Sequence, residues 1–399
     1  MPRHRLVLLF ASLTFALLIS ILHVNAQDST PTPAPNALAY FDSNALIVHD
    51  LNTNVRQELA SPSFYISRLI PFTDGRFLSD AGSLSLWDGS TFSDVSSDDL
   101  LQVFDIVPNS DGRVALIVRY RDDIDTSDFS LTLWHNGTYL GLGLTLRDAA
   151  VVWSADGRLA FESTRDGNYE IYMWADSRLT NITNSPSADA HPVWSADGRL
   201  AFESSRDGAA EIYVWDGTTT VNISQSDAWD ENPTWSPDGH LAFTSSSNGI
   251  RTLQLWDGSV VTDLGQADGF YMTWSADNRL AFTALRDGRR QLYLWDNGSI
   301  TTISPPADDV WQPTWSADNR LAFTTRHDSV EELFVWDGTA LASLGQWSAV
   351  NELTWHGDGR LAFTATADGG ADIFIWDGVN TTNVTNTPDN SEYNIIWLQ

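Results

Sequence analysis

Apolar residues in this chain fall in short bursts, each cut off by a turn signal, and the bursts repeat as a set of four. The stretch HPVWSADGRLAFESSRDGAAEIYVWDGTTTVNIS, from His191 to Ser224, divides into the runs PVWS, RLAFES, EIYVWD and TTVNIS. Asp197-Gly198 parts the first run from the second, and Asp216-Gly217 parts the third from the fourth. Asp-Gly suits tight hairpins because glycine reaches positive φ without a steric penalty. The second and third runs are almost wholly apolar, as expected of strands covered on both faces. β-branched and aromatic residues dominate the runs, so the pattern predicts four short strands per unit.

The unit recurs, with Trp at 153, 194, 235, 274, 315, 355 and 397, in steps of 39 to 42 residues. A period near 40 with a Trp-Asp-Gly signature predicts an all-β, closed β-propeller of four-stranded blades. Eight units begin near Arg68, Asp105, Val151, Pro192, Pro233, Met272, Pro313 and Leu353. The last segment, NIIWLQ, is the first quarter of a unit that stops, and the other three quarters stand in NALAYFDSNALIVHDLNTNVRQEL. Pairing Ile395–Leu398 with Ala37–Phe41 would complete a ninth blade, with eight blades and a displaced terminal unit as the alternative.

Comparison of the repeats separates scaffold from candidate site. The turns SADG, SPDG or SADN and the turn WDG lie on one rim of an up-and-down blade, and they are nearly uniform. The turn between the second and third strands and the connection from blade to blade lie on the other rim, where length and content vary. Variable loops on a rigid scaffold are where binding residues concentrate. Of 18 Trp, seven close the first strands and eight close the third, at 87, 134, 174, 215, 256, 295, 336 and 376, which marks them as packing residues. Trp229, Trp311 and Trp347 remain, all in blade-to-blade connections, with Tyr271 and Tyr393 in similar places. Acids gather beside them in Asp227, Asp230, Glu231, Asp308, Asp309 and Glu352. Aromatics next to hydrogen-bonding groups suit protein hot spots or stacking on sugar rings, whereas the bland reading has each Trp capping its own blade.

Charge narrows the function classes. The net charge is -30, and all 22 basic residues are Arg. Many Asp belong to turns, where they bond the local backbone. Even so, such a field repels nucleic acid and anionic membrane surfaces. Cys is absent, so the chain carries no disulfide.

The first 26 residues differ from the rest. Arg3 and Arg5 precede an apolar run from Leu6 to Leu22, and Val24-Asn25-Ala26 forms a small-residue cleavage site. As a helix the run would reach roughly 25 Å against a bilayer core of ~30 Å. The expectation is a signal peptide over residues 1–26, an extended spacer over 27–35 and a propeller over 36–399, exported and cut after Ala26, with an uncleaved anchor as the alternative.

Recognisable catalytic signals are missing: no GxSxG elbow, HExxH helix or phosphate loop occurs. Asp123, Asp125 and Asp128, with Asp122, resemble half a calcium loop but lack its central Gly and closing Glu. His240 and His356 replace an Arg and a Ser of the uniform turns, and His191 and His327 stand toward the variable rim without the companions a metal site needs. No cofactor is expected.

The block W-S-x-D-G-R-L-A-F-x-S-x-R-D-G-x-x-x-I-Y-x-W-D, clearest at Trp153–Trp174 and Trp194–Asp216, resembles the TolB-like (WD-like) bacterial propeller repeat. The resemblance spans Asn36–Gln399 and is weaker in the units where Pro71 and Pro108 replace the first-strand Trp. It implies a bacterial propeller. TolB itself carries an additional N-terminal α/β domain, for which Gln27–Pro35 offers no room. Similar propellers cap prolyl-oligopeptidase-like peptidases, but no hydrolase domain follows Gln399. The leading expectation is an exported, monomeric, non-catalytic scaffold that binds a protein or peptide through its variable rim. A carbohydrate-binding propeller using the three loop Trp is the alternative, and a propeller lyase or hydrolase the third reading.

Overall fold

The computed structural model describes residues 36–398 except 44, 61–67, 73, 81–83, 97–99, 121–128, 146–148, 270, 307–308, 367–368 and 388–389. The expected leader and spacer, the half calcium loop and Asp308 lie outside the described residues. Nine four-stranded antiparallel sheets form, each with its strands in chain order except one. We number the blades 1 (69–94), 2 (100–145), 3 (151–181), 4 (189–222), 5 (229–266), 6 (272–302), 7 (309–347) and 8 (349–383). Blade 9 joins the chain ends: Glu392–Leu398 supplies its first strand, and Ala37–Asp42, Ala45–Asp50 and Val55–Ala60 the rest. Ala37 pairs with Leu398 and Leu38 with Trp397, antiparallel. The count is therefore nine, and the terminal unit is a full blade.

The motif Leu-Ala-Phe in the second strands explains how one blade fits the next. Alternate residues on a strand face opposite sides, so Leu and Phe point one way and the intervening Ala the other. Ala160 of blade 3 meets Leu200 and Phe202 of blade 4. Ala201 in turn meets Leu241 and Phe243, and Ala322 meets Leu361 and Phe363. Each blade thus offers a small residue as a hollow and two large ones as knobs. Nine buried clusters occur among the described residues, one at every blade junction, including blade 8 to 9 and blade 9 to 1, although blade 1 carries Phe77-Leu78-Ser79 in place of Leu-Ala-Phe. The ring is closed.

The uniform rim carries a second, polar lock. In seven blades the first-strand Trp donates its indole Nε1–H to a first-strand carbonyl of the preceding blade, at 3.0–3.3 Å, as Trp194 does to Val152 and Trp397 to Thr354. The Arg that precedes the second strand in seven blades reaches forward in most of them. Arg158 stacks over Trp194 at 4.4 Å and donates to the Gly198 carbonyl at 3.1 Å. Gly198 has a φ of 85°, and a Cβ there would come within 2.5 Å of the guanidinium, so both its backbone shape and this close approach require glycine.

Two changes should expose these devices. Ala201→Leu would drive extra methyl groups into a filled hollow and cost about 1–3 kcal/mol in chemical denaturation; a neutral result would mean the hollow is not tight. Removal of residues 392–399 strips blade 9 of its first strand, and calorimetry should show a melting temperature many degrees lower. An unchanged melting curve would refute closure by this strand.

Candidate binding rim

On the variable rim the first strands are longer than the sequence suggests, because a bulge lets them continue. His191, Asn232, Gln312, Glu352 and Asn394 occupy equivalent bulge positions with φ between 52° and 59°. The bulge turns an amide toward the neighbouring blade. His191 N–H donates to Glu162 at 2.6 Å and Asn232 N–H to Glu203 at 2.8 Å, both acceptors lying on the second strand of the blade before. Where Thr replaces that Glu, its hydroxyl bonds its own blade's first strand instead, as Thr324 does to the Trp311 carbonyl.

The extended strands correct the expectation that the three remaining Trp are loop residues. Trp229 and Trp311 lie in first strands, opposite Ser246 and Thr324, and Trp347 ends the fourth strand of blade 7 opposite Glu331. Their environments differ. Trp229 is 51% exposed and Trp311 37%. Trp347 packs against Phe363 and Phe374 of blade 8, with ring centroids 5.2 and 5.4 Å away. Tyr393 likewise packs on Phe41, at 5.5 Å.

The acids divide in the same way. Asp230 is buried and accepts the Ser226 hydroxyl at 2.9 Å. Asp309 accepts the Arg290 amide at 2.7 Å, and Glu352 the Ile395 amide at 3.2 Å, burial holding the Glu352 carboxyl above the usual range. These three hold the backbone in place. Glu231 stands nearer the surface, accepts the Trp229 indole N–H, and lies 3.7 Å from Arg251.

Trp229, Glu231, Tyr271 and Trp311 therefore remain as rim residues, and a cleft of about 500 Å³ opens between blades 5 and 6, which Trp229 adjoins through Ser246 opposite it, and Tyr271 and Trp311 through Arg290 and Asp268. Ile250 and Leu285, both more than half exposed, form its lips, and Arg251 and Asp268 line it. Arg251 is fixed by Ser246 Oγ at 3.1 Å and the Asp268 carbonyl at 3.0 Å. Beyond the cleft, the buried Arg290 donates to Asp268 at 2.6 Å and lies under Trp311 at 4.7 Å and Tyr271 at 6.0 Å. A buried, hydrogen-bonded ion pair of this kind favours one local geometry over its alternatives. It presents the Trp311 ring at a fixed angle.

Sequence reading missed Arg251, Asp268, Arg290, Glu162 and Glu203. The signal for the last two was present: Phe-Glu-Ser in two repeats stands where the later ones have Phe-Thr. Glu203 accepts from His191 Nδ1 at 2.9 Å. That bond, reinforced by the charges of Glu203, Glu162 and Glu231, pushes the imidazole up to about 9, while burial raises Glu162. His327 is exposed, 3.7 Å from Asp328. Among the described residues no group of three or more His, Cys, Asp or Glu is placed to hold a metal ion.

With this geometry in hand, the comparisons place the chain. Residues 146–261 match the TolB beta propeller domain family. Over those residues the repeat is that of the TolB-like propellers. No curated protein sequence matches the chain. Among solved structures, the propeller resembles a crystal structure of the eukaryotic initiation factor at 12% identity and a TM-score of 0.61, over 90% of this chain and 96% of that one. It also resembles Porphyromonas gingivalis dipeptidyl peptidase 4 at 14% identity and a TM-score of 0.61, over 82% of this chain and 60% of the peptidase. TolB from Acinetobacter baumannii matches at 16% identity and a TM-score of 0.37, over 65% of this chain and 77% of that chain. At such identities the likeness is one of fold. The chain spans three fifths of the peptidase's length.

The titration of His191 gives a test of this rim. Its imidazolium is favoured in the fold, so its contribution to stability is complete below about 6.5 and is lost as pH rises through about 9. His191→Gln should melt below wild type at about pH 6 and converge with it by roughly pH 10. A pH-independent difference would remove the Glu203 bond as its cause.

Proposed function

We propose that this TolB-like propeller is an exported, non-catalytic scaffold that holds a protein or peptide partner on the variable rim of blades 4 to 7. The observation that carries the reading is the division of the Trp set. Fifteen of the 18 lie at the repeated packing positions of the first and third strands, and Trp347 packs between blades. Trp229 and Trp311 are the exposed Trp among the described residues, and Trp229 stands opposite Ser246, which lines a cleft with two exposed aliphatic lips. Aromatic anchors around an apolar cleft with charged groups at its floor suit a polypeptide hot spot. The acids around them favour a partner with basic groups, whose capture should weaken with salt. The expected leader over residues 1–26 supports export. The glycan alternative loses one of its three stacking platforms through the packing of Trp347.

The test is affinity capture from envelope extracts of the source cell, with wild type and a Trp229→Ala/Trp311→Ala double variant as bait. We expect the variant to keep its melting temperature and to lose the captured polypeptide, which salt also releases from wild type. An identical captured set would overturn the assignment of this rim. Capture of glycan alone, insensitive to salt, would replace the polypeptide reading.

A further inference from the structure

The third strand of eight blades carries Trp near its end, at 87, 134, 174, 215, 256, 295, 336 and 376. In blade 9 the equivalent residue is His49, which lies opposite Leu38 as Trp376 lies opposite Leu361. The blade that joins the chain ends thus holds an imidazole where the others hold an indole. His49 is 1% exposed, with the ring of Tyr40 edge-on at 6.3 Å. Its Nε2 faces Asn54 Oδ1 at 2.8 Å, which fixes the neutral ring as the Nε2–H tautomer. Nδ1 is buried and has no hydrogen-bond partner among the described residues.

Acid would place a second proton on Nδ1, where no acceptor faces it, and a buried charge without a partner is strongly unfavourable. The charges around the ring add to that penalty. Arg56 stands directly opposite His49 on the neighbouring strand, and like charges so placed repel. The Arg56 guanidinium also fastens blade 9 to the end of blade 8, donating to the Val384 and Thr385 carbonyls at 2.9 and 2.7 Å. From blade 8, Arg360 lies over Trp397 at 4.9 Å, and His356, 4.8 Å from the same ring, is paired with Asp358 at 2.7 Å. Asp50 is engaged by the Asn52 amide at 2.9 Å and the Thr53 hydroxyl at 2.8 Å, and Asp42 and Glu392 act on the Tyr40 hydroxyl. Burial above all, and then the Arg56 charge, hold the imidazole below its ordinary 6.5, against the Asn54 bond and the Asp50 charge.

We propose that blade 9 is an acid-released clasp, in which protonation of His49 detaches the strand Glu392–Leu398 from Ala37–Asp42 while the other blades stay formed. The seam is the place where this can happen. In blade 9 the first and second strands come from opposite ends of the chain and are joined by hydrogen bonds and packing, with no hairpin between them. Leu38 pairs with His49 on one side and with Trp397 on the other, so the imidazole and the seam share one residue. The closed blade favours the neutral ring, so its contribution to closure is complete above about 6.5 and is lost as pH falls through the lowered value. Within that window opening takes up one proton, and its equilibrium constant rises about tenfold for each pH unit. Release would bare the edge of Ala37–Asp42, an unpaired strand edge able to take up another chain. The clasp stands or falls independently of the function proposed above.

Hydrogen exchange read by mass spectrometry, corrected for the intrinsic effect of pH on exchange, tests the clasp. Wild-type peptides covering residues 37–50 and 392–398 should exchange about tenfold faster or more at about pH 5 than at about pH 7.5, while those from 229–266 keep their rate. His49→Phe puts an apolar ring in the seat, and its blade 9 peptides should show no acid-dependent gain. If that variant fails to fold, His49→Gln keeps a polar group toward Asn54 without a titrating one and should show the same loss of response. NMR titration of the wild-type His49 ring should give a midpoint below 6.5. The proposal is overturned by the absence of an acid gain in wild type, by an equal gain in blade 5, by a gain that persists in whichever variant folds, or by a midpoint at or above 6.5.

Discussion

The fit of a knob pair into an alanine hollow, repeated at seven of the nine junctions, is the contact on which the ring depends. A blade is too thin to bury both its faces, and a sheet with apolar residues on both sides cannot stand alone in water. Each blade therefore borrows its neighbour's surface, and the borrowing has a direction, from Ala160 to Leu200 and onward around the ring. Because the hollow is one methyl deep, blade spacing is fixed. With spacing fixed, closure requires the final junction to obey the same geometry, which explains why the chain ends are spliced into a single blade.

The two rims then do different work. On one, Trp and Arg fasten adjacent blades through hydrogen bonds to backbone carbonyls and stacked rings, which leaves its turns little room to vary. On the other, the bulge of the first strand directs amides toward buried carboxylates, or Thr hydroxyls donate to first-strand carbonyls, and this frees nearby side chains to face outward. Trp229 and Trp311 are exposed because the strands that carry them are held from beneath, by Glu203 and Thr324 respectively. The rigidity of the scaffold lets large apolar side chains remain in water without collapsing onto it.

The architecture was legible in the chain because its causes are local. Asp-Gly turns, the apolar second strand and the recurring Trp each act within a few residues, and the split ninth unit could be read from the order of its quarters. The rim was only partly legible. Trp347 and Tyr393 looked like Trp229 and Trp311 in sequence, and their fates differ because of what distant segments bring: Phe363 and Phe374 of the next blade for one, Phe41 of the paired strand for the other. The bulge falls on residues as different as His191, Asn232, Gln312 and Glu352, so no common residue marks it, and Trp229 and Trp311 read as loop positions. Arg290 was hidden for a related reason, since its partners come from two separate segments, Asp268 from one and Asp309 and Trp311 from another.

The pairing of Ala37 with Leu398 brings the two ends of blade 9's seam to one point. A pulling force applied at residues 37 and 398 would load the first hydrogen-bonded pair alone, then the next, in the manner of a zipper. Tension applied across any other blade would act on whole strands whose hydrogen bonds share the load. The ring is thus mechanically anisotropic, with one seam that yields stepwise while the remaining blades stay assembled.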